Sequence, residues 1–404
     1  MEAKKPLEGI KVVELSTFVA APVCARMLAD MGASVVKIEG FKGDPWRATA
    51  KACTYTDDLE NPVYDVYNTG KESICLNIKT PDGMAILHKL LAEADIFVTN
   101  TRFPSLKRAG LDYETLKEKY PRLIYVTLNG YGFKGAEAEA PGFDNVAYWT
   151  RSGFLMDMSI QTEQSYPVQS PTGAGDTVAG AMLYGGVMTA LYQRTITGKG
   201  DLVTTALYNT GAWMLASMII QAQDCYGVKF PKNRSMCSPF TSPYKCADGE
   251  WICITVLDYD RFRDIIFRLL DIEEEMSHLD LPDQASMKKQ AAQVLPVMEK
   301  AFLKKTSAEW LKILKDADVV AGLMTHMRDV PKDPQAIENN FVQELSFPNG
   351  KSCMVPTPPI RLASQPEPET KNASLPGADT QDVLARLGYS SEEIEAFRAA
   401  GAVK

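Results

Sequence analysis

The sequence predicts an α/β protein whose larger part is a doubly wound, mostly parallel sheet. Three observations lead to this fold class. Strand patterns alternate with helical patterns through residues 10–128, the length of 404 residues exceeds that of a usual single core, and a proline-punctuated segment at 227–242 precedes a second set of elements. We therefore expect two domains, with ligands of the first bound at the carboxyl ends of its strands.

The first predicted elements form a strand, helix, strand unit. An apolar strand at 10–15 leads to a helix with Pro22 at its first position, and a second strand follows at 33–39. The alternation then continues with a helix at 82–94, a strand at 96–99, a helix at 113–119 and a strand at 123–128. Because parallel strands need crossover connections, this order indicates a parallel sheet.

The rest of the chain is predicted to be mainly helical. Residues 244–254 read as a hairpin that turns at Asp248-Gly249, and residues 356–368 are proline-rich and extended. The spacing of Thr306 and Glu309 fits a capping box. Helices are predicted at 177–194, 206–225, 258–270 and 286–304, after Thr306, and after Ser390.

Composition excludes several functional classes. The formal net charge is −8 and no long basic stripe exists, so neither nucleic acid nor a membrane is expected as a partner. The first residues lack the apolar region of a secretory signal, and the longest uncharged helical stretch is short for a membrane span, so a cytoplasmic protein is expected. Three histidines and eight scattered cysteines without a C-x-x-C pair indicate no metal site.

Asp176 lies between a Gly-rich turn and the first turn of a helix of small residues. An Asp at such a position is often a helix cap. It also has little bulk around it, and the adjacent helix N-terminus stabilises negative charge, so a substrate carbonyl could approach it closely. The local pattern leaves both interpretations open.

The segment Gly130–Gly135 matches G-x-G-x-x-G after a strand. A dinucleotide site needs a helix that begins inside this motif, whereas Pro141-Gly142 leaves room for one turn at most. The first strand-to-helix turn also lacks glycine. We therefore expect Gly130–Gly135 to be a flexible loop over a site, and not a nicotinamide fingerprint.

Basic residues cluster near the predicted strand ends, namely Lys71, Lys79, Arg102, Lys107 and Arg108. Such a group at the carboxyl edge of a parallel sheet suits a ligand with several phosphates. A solvated positive face is the other interpretation of the same residues.

Short motifs carry a resemblance to a known family. They are Ala21-Pro22, Leu28–Glu39, Gly43-Asp44-Pro45, Asn68–Lys71, Asn100-Thr101-Arg102, Gly110–Tyr113, Gly130-Tyr131-Gly132, Pro141–Asp144 and Thr197–Gly200. Together they are similar to the class III (CaiB/BaiF-like) CoA-transferases, from Leu7 to the C-terminus. Within that family the pattern is closest to the 2-hydroxyacyl-CoA transferases of amino-acid fermentation.

The resemblance implies a Rossmann-like large domain, a small α+β domain and an interlocked homodimer. Residues 1–205 would form the first part of the CoA-binding large domain and 226–325 the small domain, while 335–404 would return to the large domain. The family's nucleophilic Asp falls on Asp176.

The resemblance also implies a set of CoA-binding residues. Two departures stand out, because many family members have Gln at the position of Val19 and Arg at that of Gly40. The glycine loop of the small domain is replaced by Ser235–Pro239, which puts loop gating in question. The implied CoA contacts are Phe18, Val19, Ala20, Leu76, Lys79, Asn100, Arg102 and Arg108.

The activity implied is transfer of CoA from an acyl-CoA donor to a carboxylic acid, with a branched or aromatic 2-hydroxy acid favoured as acceptor. The intermediates would be an aspartyl anhydride and an aspartyl-CoA thioester on Asp176. CoA thioesters would be substrates, and no permanently bound cofactor is expected. Asp144 is a candidate for positioning the acceptor, and the N–H groups of Gly132 or Gly175 are candidates for holding the oxyanion.

Other activities remain to be separated from this one. A 2-methylacyl-CoA racemase of the same superfamily pairs the Asp with a His, but the corresponding position here is Phe143, which cannot accept a proton. A transferase for another acid, of the carnitine, oxalate or bile-acid type, is a further alternative. A non-catalytic CoA-binding regulator and a hydrolase are rivals of different classes.

Overall fold

The computed structural model describes residues 4–54, 60–160 and 162–404. The chain divides into two compact units. The first unit comprises Met1–Gly153, Ser170–Ile219 and Pro331–Lys404, and the second comprises Phe154–Gln169 and Ile220–Val330. The sequence analysis placed residues 154–169 in the large domain, so the second unit contains one segment more than expected.

The described residues form 18 α-helices. They are α1 (Ala20–Asp30), α2 (Pro45–Thr54), α3 (Pro62–Asn68), α4 (Pro81–Glu93), α5 (Phe103–Arg108), α6 (Tyr113–Lys119), α7 (Phe154–Asp157), α8 (Ala174–Thr197), α9 (Leu207–Met214), α10 (Ala216–Gln221), α11 (Tyr259–Leu270), α12 (Glu273–Met276), α13 (Gln284–Lys289), α14 (Ala291–Phe302), α15 (Ser307–Asp316), α16 (Pro334–Glu338), α17 (Thr380–Arg386) and α18 (Ser391–Ala399). A π-helical turn spans Asp144–Thr150. None of the helices within the described ranges is both long and apolar enough to cross a membrane.

A six-stranded parallel sheet lies at the centre of the first unit. Its strands are β1 (Lys11–Leu15), β2 (Ser34–Glu39), β3 (Lys71–Cys75), β4 (Ile96–Thr99), β5 (Ile124–Asn129) and β6 (Leu202–Ala206). The spatial order is β3-β2-β1-β4-β5-β6, so the chain reverses its direction of travel between β1 and β4. In a doubly wound sheet this switch point is where a crevice opens beyond the strand ends.

The sheet is covered on both faces, as the predicted fold class requires. Val12 of β1 packs with α1 and α8 in one apolar cluster, whereas its neighbour Val13 packs with α4 and with the C-terminal helices in another. Successive strand residues point to opposite faces, so each strand contributes to both clusters. The α/β prediction is confirmed.

Two strands and one helix start differ from the sequence predictions. The sequence analysis did not predict the edge strands β3 and β6. Their sequences, KESIC and LVTTA, are short and are interrupted by polar residues. Helix α1 begins at Ala20, so Pro22 is its third residue and not its first. A proline is still tolerated there because the N–H groups of a first helical turn have no intrahelical partner.

The second unit has its own small antiparallel sheet and apolar core. Strands β7 (Pro243–Lys245), β8 (Trp251–Ile254) and β9 (Ala321–Leu323) pair in that order. The predicted hairpin at Asp248-Gly249 and the capping box of Thr306 are present. In the first unit, β10 (Val342–Ser346) and β11 (Ser352–Pro356) form a separate hairpin that the sequence analysis missed.

Candidate active site

A cavity of about 420 Å³ opens at the switch point of the parallel sheet. Thr17 and Phe18 follow β1 and line one side, while Asn100 and Arg102 follow β4 and line another. The Asp176 side chain lines the same cavity. The sheet topology thus brings the predicted nucleophile beside two loops that are more than 70 residues distant from it in sequence.

Asp176 is not the cap of its helix. Helix α8 begins at Ala174, and the N-cap is Gly173, whose φ of +75° lies in the left-handed region that favours glycine. Asp176 is therefore the third helical residue, with its carboxylate free of capping contacts. The capping interpretation is wrong because the chain turns into the helix three residues earlier than the Asp.

The Asp144 carboxylate occupies the N-terminus of α8 in its place. It accepts hydrogen bonds from the backbone N–H groups of Gly173 and Asp176, both at 3.0 Å, and from Trp149 Nε1 at 3.1 Å. Asp144 is buried at 5% exposure. A carboxylate at this position satisfies helix N–H groups and interacts favourably with the helix dipole.

Gly175 makes this arrangement sterically possible. A Cβ atom there would collide with Asp144 Oδ1 and would lie 2.5 Å from the ring of Tyr148. Glycine is needed here because Asp144 and Tyr148 approach its Cα closely, and not because of its backbone conformation, since the φ of Gly175 is not in the left-handed region. Sequence analysis marked Gly175 as an oxyanion candidate, whereas the structure gives it this packing role.

Burial and one nearby carboxylate raise the pKa of Asp176. Burial is the larger cause and the Asp144 carboxylate is the second, and together they raise the pKa to about 7. Burial also raises the pKa of Asp144, although hydrogen bonds from Trp149, Gly173, Asp176 and Gly175 oppose it. Asp176 thus titrates near neutral pH, as suits a group that takes part in chemistry there.

Two substrate-positioning predictions find other partners in the structure. The Gly132 N–H donates to Asn129 Oδ1 at 2.8 Å, and Gly132 does not line the cavity. The oxygens of Asp144 accept hydrogen bonds from α8 and Trp149, so Asp144 holds the helix. Contacts of Gly132 and Asp144 with a substrate stay predictions.

The predicted CoA-binding residues divide into two groups. Phe18, Ala20, Asn100 and Arg102 line the cavity with Asp176. The remaining four do not line it: Val19 and Leu76 are buried, whereas Lys79 and Arg108 are exposed. A contact of those four with CoA stays a prediction.

Phe18 adopts a strained backbone conformation in the turn after β1. Its φ is +64°, which is uncommon for a residue with a side chain. The Phe18 N–H donates to Asp44 Oδ1 at 3.1 Å, and Asn100 makes two hydrogen bonds to Thr17, at 3.0 and 2.7 Å. The turn that a nucleotide-binding fold usually builds with glycine is built here by these side-chain contacts.

Behind this turn lies a buried ionic network that the sequence analysis did not foresee. Lys37 Nζ lies 3.0 Å from Asp44 Oδ2 and 2.8 Å from Glu14 Oε1. Glu14 in turn pairs with Lys71 at 2.8 Å. All four side chains are buried, with two charges of each sign. The motif Gly43-Asp44-Pro45 was visible in the sequence, but its link to Phe18 was not.

Lys71 therefore does not have the phosphate-binding position suggested by the sequence. It is the first residue of β3, at the edge opposite the carboxyl ends, and its Nζ also donates to the Pro22 carbonyl at 2.8 Å. Burial is the main reason why the pKa of Lys71 falls to about 8. The ammonium group stabilises Glu14 and is not available to a ligand.

Residues 7–380 match the sequence model of CoA-transferase family III. The chain belongs to this family. Its match spans both compact units, so the family assignment applies to the whole architecture and not to one domain.

Two curated relatives are 36% identical to this chain. One is (R)-2-hydroxy-4-methylpentanoate CoA-transferase from Clostridioides difficile, for which the alignment covers 97% of this chain and 98% of the relative. The other is cinnamoyl-CoA:phenyllactate CoA-transferase from Clostridium sporogenes, with 96% and 94% covered. A crystal structure of a CaiB/BaiF family protein from Brucella suis matches with a TM-score of 0.77 at 26% identity, over 95% of this chain and 100% of that one.

The sequence analysis matched Phe143 with the proton-accepting His of the related racemases. Phe143 lines the cavity, is 56% exposed, and meets the Phe18 ring edge-on at a centroid distance of 5.2 Å. No histidine contributes to the cavity lining formed by the described residues. The site thus offers one titratable carboxyl group and an aromatic wall.

Proposed function

We propose that this chain transfers CoA from an acyl-CoA to a 2-hydroxy acid with a branched or aromatic side chain, with Asp176 as the nucleophile. The observation that carries this proposal is the Asp176 carboxyl group, which lines a cavity at the switch point of the sheet and titrates near neutral pH. Family III membership and the two relatives named above support the acid class.

The first half of the reaction moves CoA from the acyl-CoA donor to the enzyme. The ionised Asp176 carboxylate attacks the thioester carbonyl and forms a carbon–oxygen bond. The carbon–sulfur bond breaks, CoA leaves as a thiolate, and a mixed anhydride of Asp176 and the acyl group remains. The thiolate then attacks the aspartyl carbonyl of that anhydride. The donor acid departs as a carboxylate, and an aspartyl-CoA thioester remains.

The second half reverses these steps on the acceptor. The carboxylate of the acceptor acid attacks the aspartyl thioester, releases the CoA thiolate, and forms a second anhydride. The thiolate attacks the acyl carbonyl of this anhydride, which yields the new acyl-CoA and restores the Asp176 carboxylate. A carboxylate suits this role because both its anhydride and its thioester stay activated for the next step.

The residues around Asp176 support these steps in different ways. Gly175 allows the α8 N-terminus to approach Asp144, which removes competing hydrogen-bond donors from the Asp176 carboxylate. Phe18 and Phe143 form an aromatic wall that limits the access of water to the anhydride. Asn100 fixes the turn that carries Phe18.

The finer architecture belongs to the same proposal. We infer that the second unit corresponds to the family's small domain, that two chains assemble as an interlocked homodimer, and that the protein acts in the cytoplasm. Acyl-CoA and carboxylic acids are then its substrates, and no permanent cofactor is required.

Mass spectrometry with the Asp176→Ala variant tests the proposal. Wild-type protein incubated with an acyl-CoA should carry a covalent acyl or CoA adduct on the peptide that contains Asp176. The variant should show no adduct, and its transfer rate should fall by at least about 10³-fold. The exposed Asp224→Ala variant serves as the control and should keep both adduct and rate.

The same assay separates the rival activities. Retained transfer by Asp176→Ala, or an unmodified wild-type peptide, would refute the mechanism. Release of free CoA without a second carboxylic acid would indicate a hydrolase, and tight CoA binding without any turnover would indicate a regulator. Exchange of the α-proton with solvent deuterium, without transfer, would indicate a racemase.

A further inference from the structure

A second cavity of about 320 Å³ lies directly beside the catalytic one. The two cavities share walls formed by Asn100–Arg102, Leu128-Asn129 and Pro141-Gly142. Asp176 lines only the first cavity, and the second extends along β5 as far as Leu202 at the start of β6. A group held next to Asp176 can therefore extend past the shared wall into this space.

Residues 130–142, named here the 130–142 loop, contribute part of the wall of the second cavity. The loop is closed at its base because Gly130 and Gly142 touch through their backbones. A Cβ atom on Gly130 would lie 2.7 Å from the Gly142 Cα, and one on Gly142 would lie 2.6 Å from the Gly130 Cα. Asn129 also exchanges two hydrogen bonds with Gly132, at 2.8 and 2.7 Å. The loop therefore encloses a defined space.

The lining of the second cavity is largely apolar and is held rigidly. Tyr125 and Thr127 are two residues apart on β5 and so face the same side of the sheet. The Tyr125 hydroxyl donates to the Leu111 carbonyl at 2.9 Å. The Tyr113 ring packs edge-on against the Tyr125 ring, with the two centroids 5.8 Å apart. Phe103, Leu106, Phe133 and Leu202 add further apolar surface.

The charges of this lining argue against the nucleotide part of CoA as the occupant. Arg102 is the single cation that the described residues contribute, whereas Glu114 and Glu139 contribute two carboxylates. Several phosphates would face net negative charge there. An uncharged apolar group meets no such electrostatic penalty. The cavity volume of about 320 Å³ is at the lower end of the range of small-molecule pockets, roughly 300–1,000 Å³.

We propose that the second cavity binds the apolar side chain of the acid substrate. This inference rests on the proposed function and deepens it. The reacting carboxyl carbon lies beside Asp176 in the first cavity, and the branched or aromatic side chain extends past the shared wall beneath the 130–142 loop. The compartment thereby sets the preference for acids with bulky apolar side chains over acids with a methyl group.

The selectivity of the enzyme between two acids tests the assignment of the second cavity as the side-chain compartment. We compare kcat/KM for 2-hydroxy-4-methylpentanoate with kcat/KM for lactate, which carries only a methyl side chain, using one acyl-CoA donor. Leu202→Trp fills the far end of the compartment and should lower this ratio by about tenfold or more. Leu362→Trp is the matched control, since Leu362 is 41% exposed, Leu202 is 38% exposed, and Leu362 lines neither cavity.

A second variant keeps the test independent of any folding defect in Leu202→Trp. Phe133→Ala enlarges the compartment and should raise the ratio of kcat/KM for phenyllactate to that for 2-hydroxy-4-methylpentanoate. Equal effects on all acids in both variants, or an equal shift in the Leu362→Trp control, would overturn the assignment. Absence of transfer to every acid by the wild-type protein would instead refute the proposed function.

Discussion

The carboxylate of Asp144 accepts the backbone N–H of Asp176 at 3.0 Å, although the two residues are 32 positions apart in the chain. One acidic residue thus caps the helix that carries the other, which is the proposed nucleophile. This arrangement leaves the Asp176 side chain free to line the cavity, and it places a like charge close enough to raise the pKa of Asp176. The positions of the two carboxyl groups thus account for the capping of α8 and contribute to the raised pKa of Asp176.

The pH dependence of transfer should report on this pair. Because only the ionised Asp176 attacks, the rate should rise with pH through about 7. Asp144→Asn removes the like charge but leaves the burial, so the midpoint should move to lower pH and remain above the usual carboxyl range. The measurement is kcat/KM from pH 5 to 9, and an unchanged or higher midpoint in the variant would contradict the interpretation.

A methyl group at Gly175 should disable the site. The Cβ of Gly175→Ala would collide with Asp144 and the Tyr148 ring, so Asp144 must move and the start of α8 with it. Activity should fall by about a hundredfold. Gly185→Ala is the control in the same helix, where a Cβ meets no atom within 4 Å, and it should increase the free energy of unfolding by about 0.5–1 kcal/mol. Equal activity in both variants would refute the steric role.

Removing the charge of Asp176 should stabilise the fold in a pH-dependent way. The pKa of Asp176 is about 7 in the folded protein and lies lower in the unfolded chain, so folding favours the protonated carboxyl group. The stability that protonation of Asp176 contributes is therefore lost as pH rises through 7. Asp176→Asn should therefore raise Tm above wild type at pH 8, and the gap should close towards pH 4. Thermal unfolding at both pH values measures this, with Asp224→Asn as a control substitution of the same kind at an exposed position.

The buried network behind Phe18 should be sensitive to loss of one charge. Asp44→Asn leaves Lys37 without one of its two carboxylate partners, so the free energy of unfolding should fall by about 3 kcal/mol. The variant also weakens the acceptor of the Phe18 N–H, and KM for acyl-CoA should therefore rise.

Asp65→Asn is the matched control for that variant. Asp65 is also a buried carboxylate that accepts a backbone N–H, from Ala373 at 3.0 Å, but no ion pair joins it to the other described residues. Burial raises its pKa to about 6, so the amide should cost little stability. Denaturant unfolding compares the two variants, and equal losses would show that the ion pair to Lys37 is unimportant.

Local patterns predicted those elements whose sequence is strongly periodic. The apolar runs of β1, β2, β4 and β5 predicted four parallel strands, and the capping box of Thr306 predicted the start of α15. The edge strand β3 was missed because its residues Lys71 and Glu72 break the apolar run. Lys71 is nevertheless buried, since Glu14 on a different strand compensates its charge, and no local pattern contains that partner.

The sequence by itself determined the alternation of strands and helices, because that depends on residue types at short spacing. Its ordered motifs also carried the family resemblance, and that resemblance marked Asp176 as the candidate nucleophile. Only the tertiary structure decided that β1 and β4 are neighbours, that Asp144 and not Asp176 caps α8, and that a second cavity adjoins the first. The physical reason is that burial, hydrogen-bond partners and electrostatic fields arise from contacts between residues far apart in the chain. Periodicity along the sequence carries no record of such contacts.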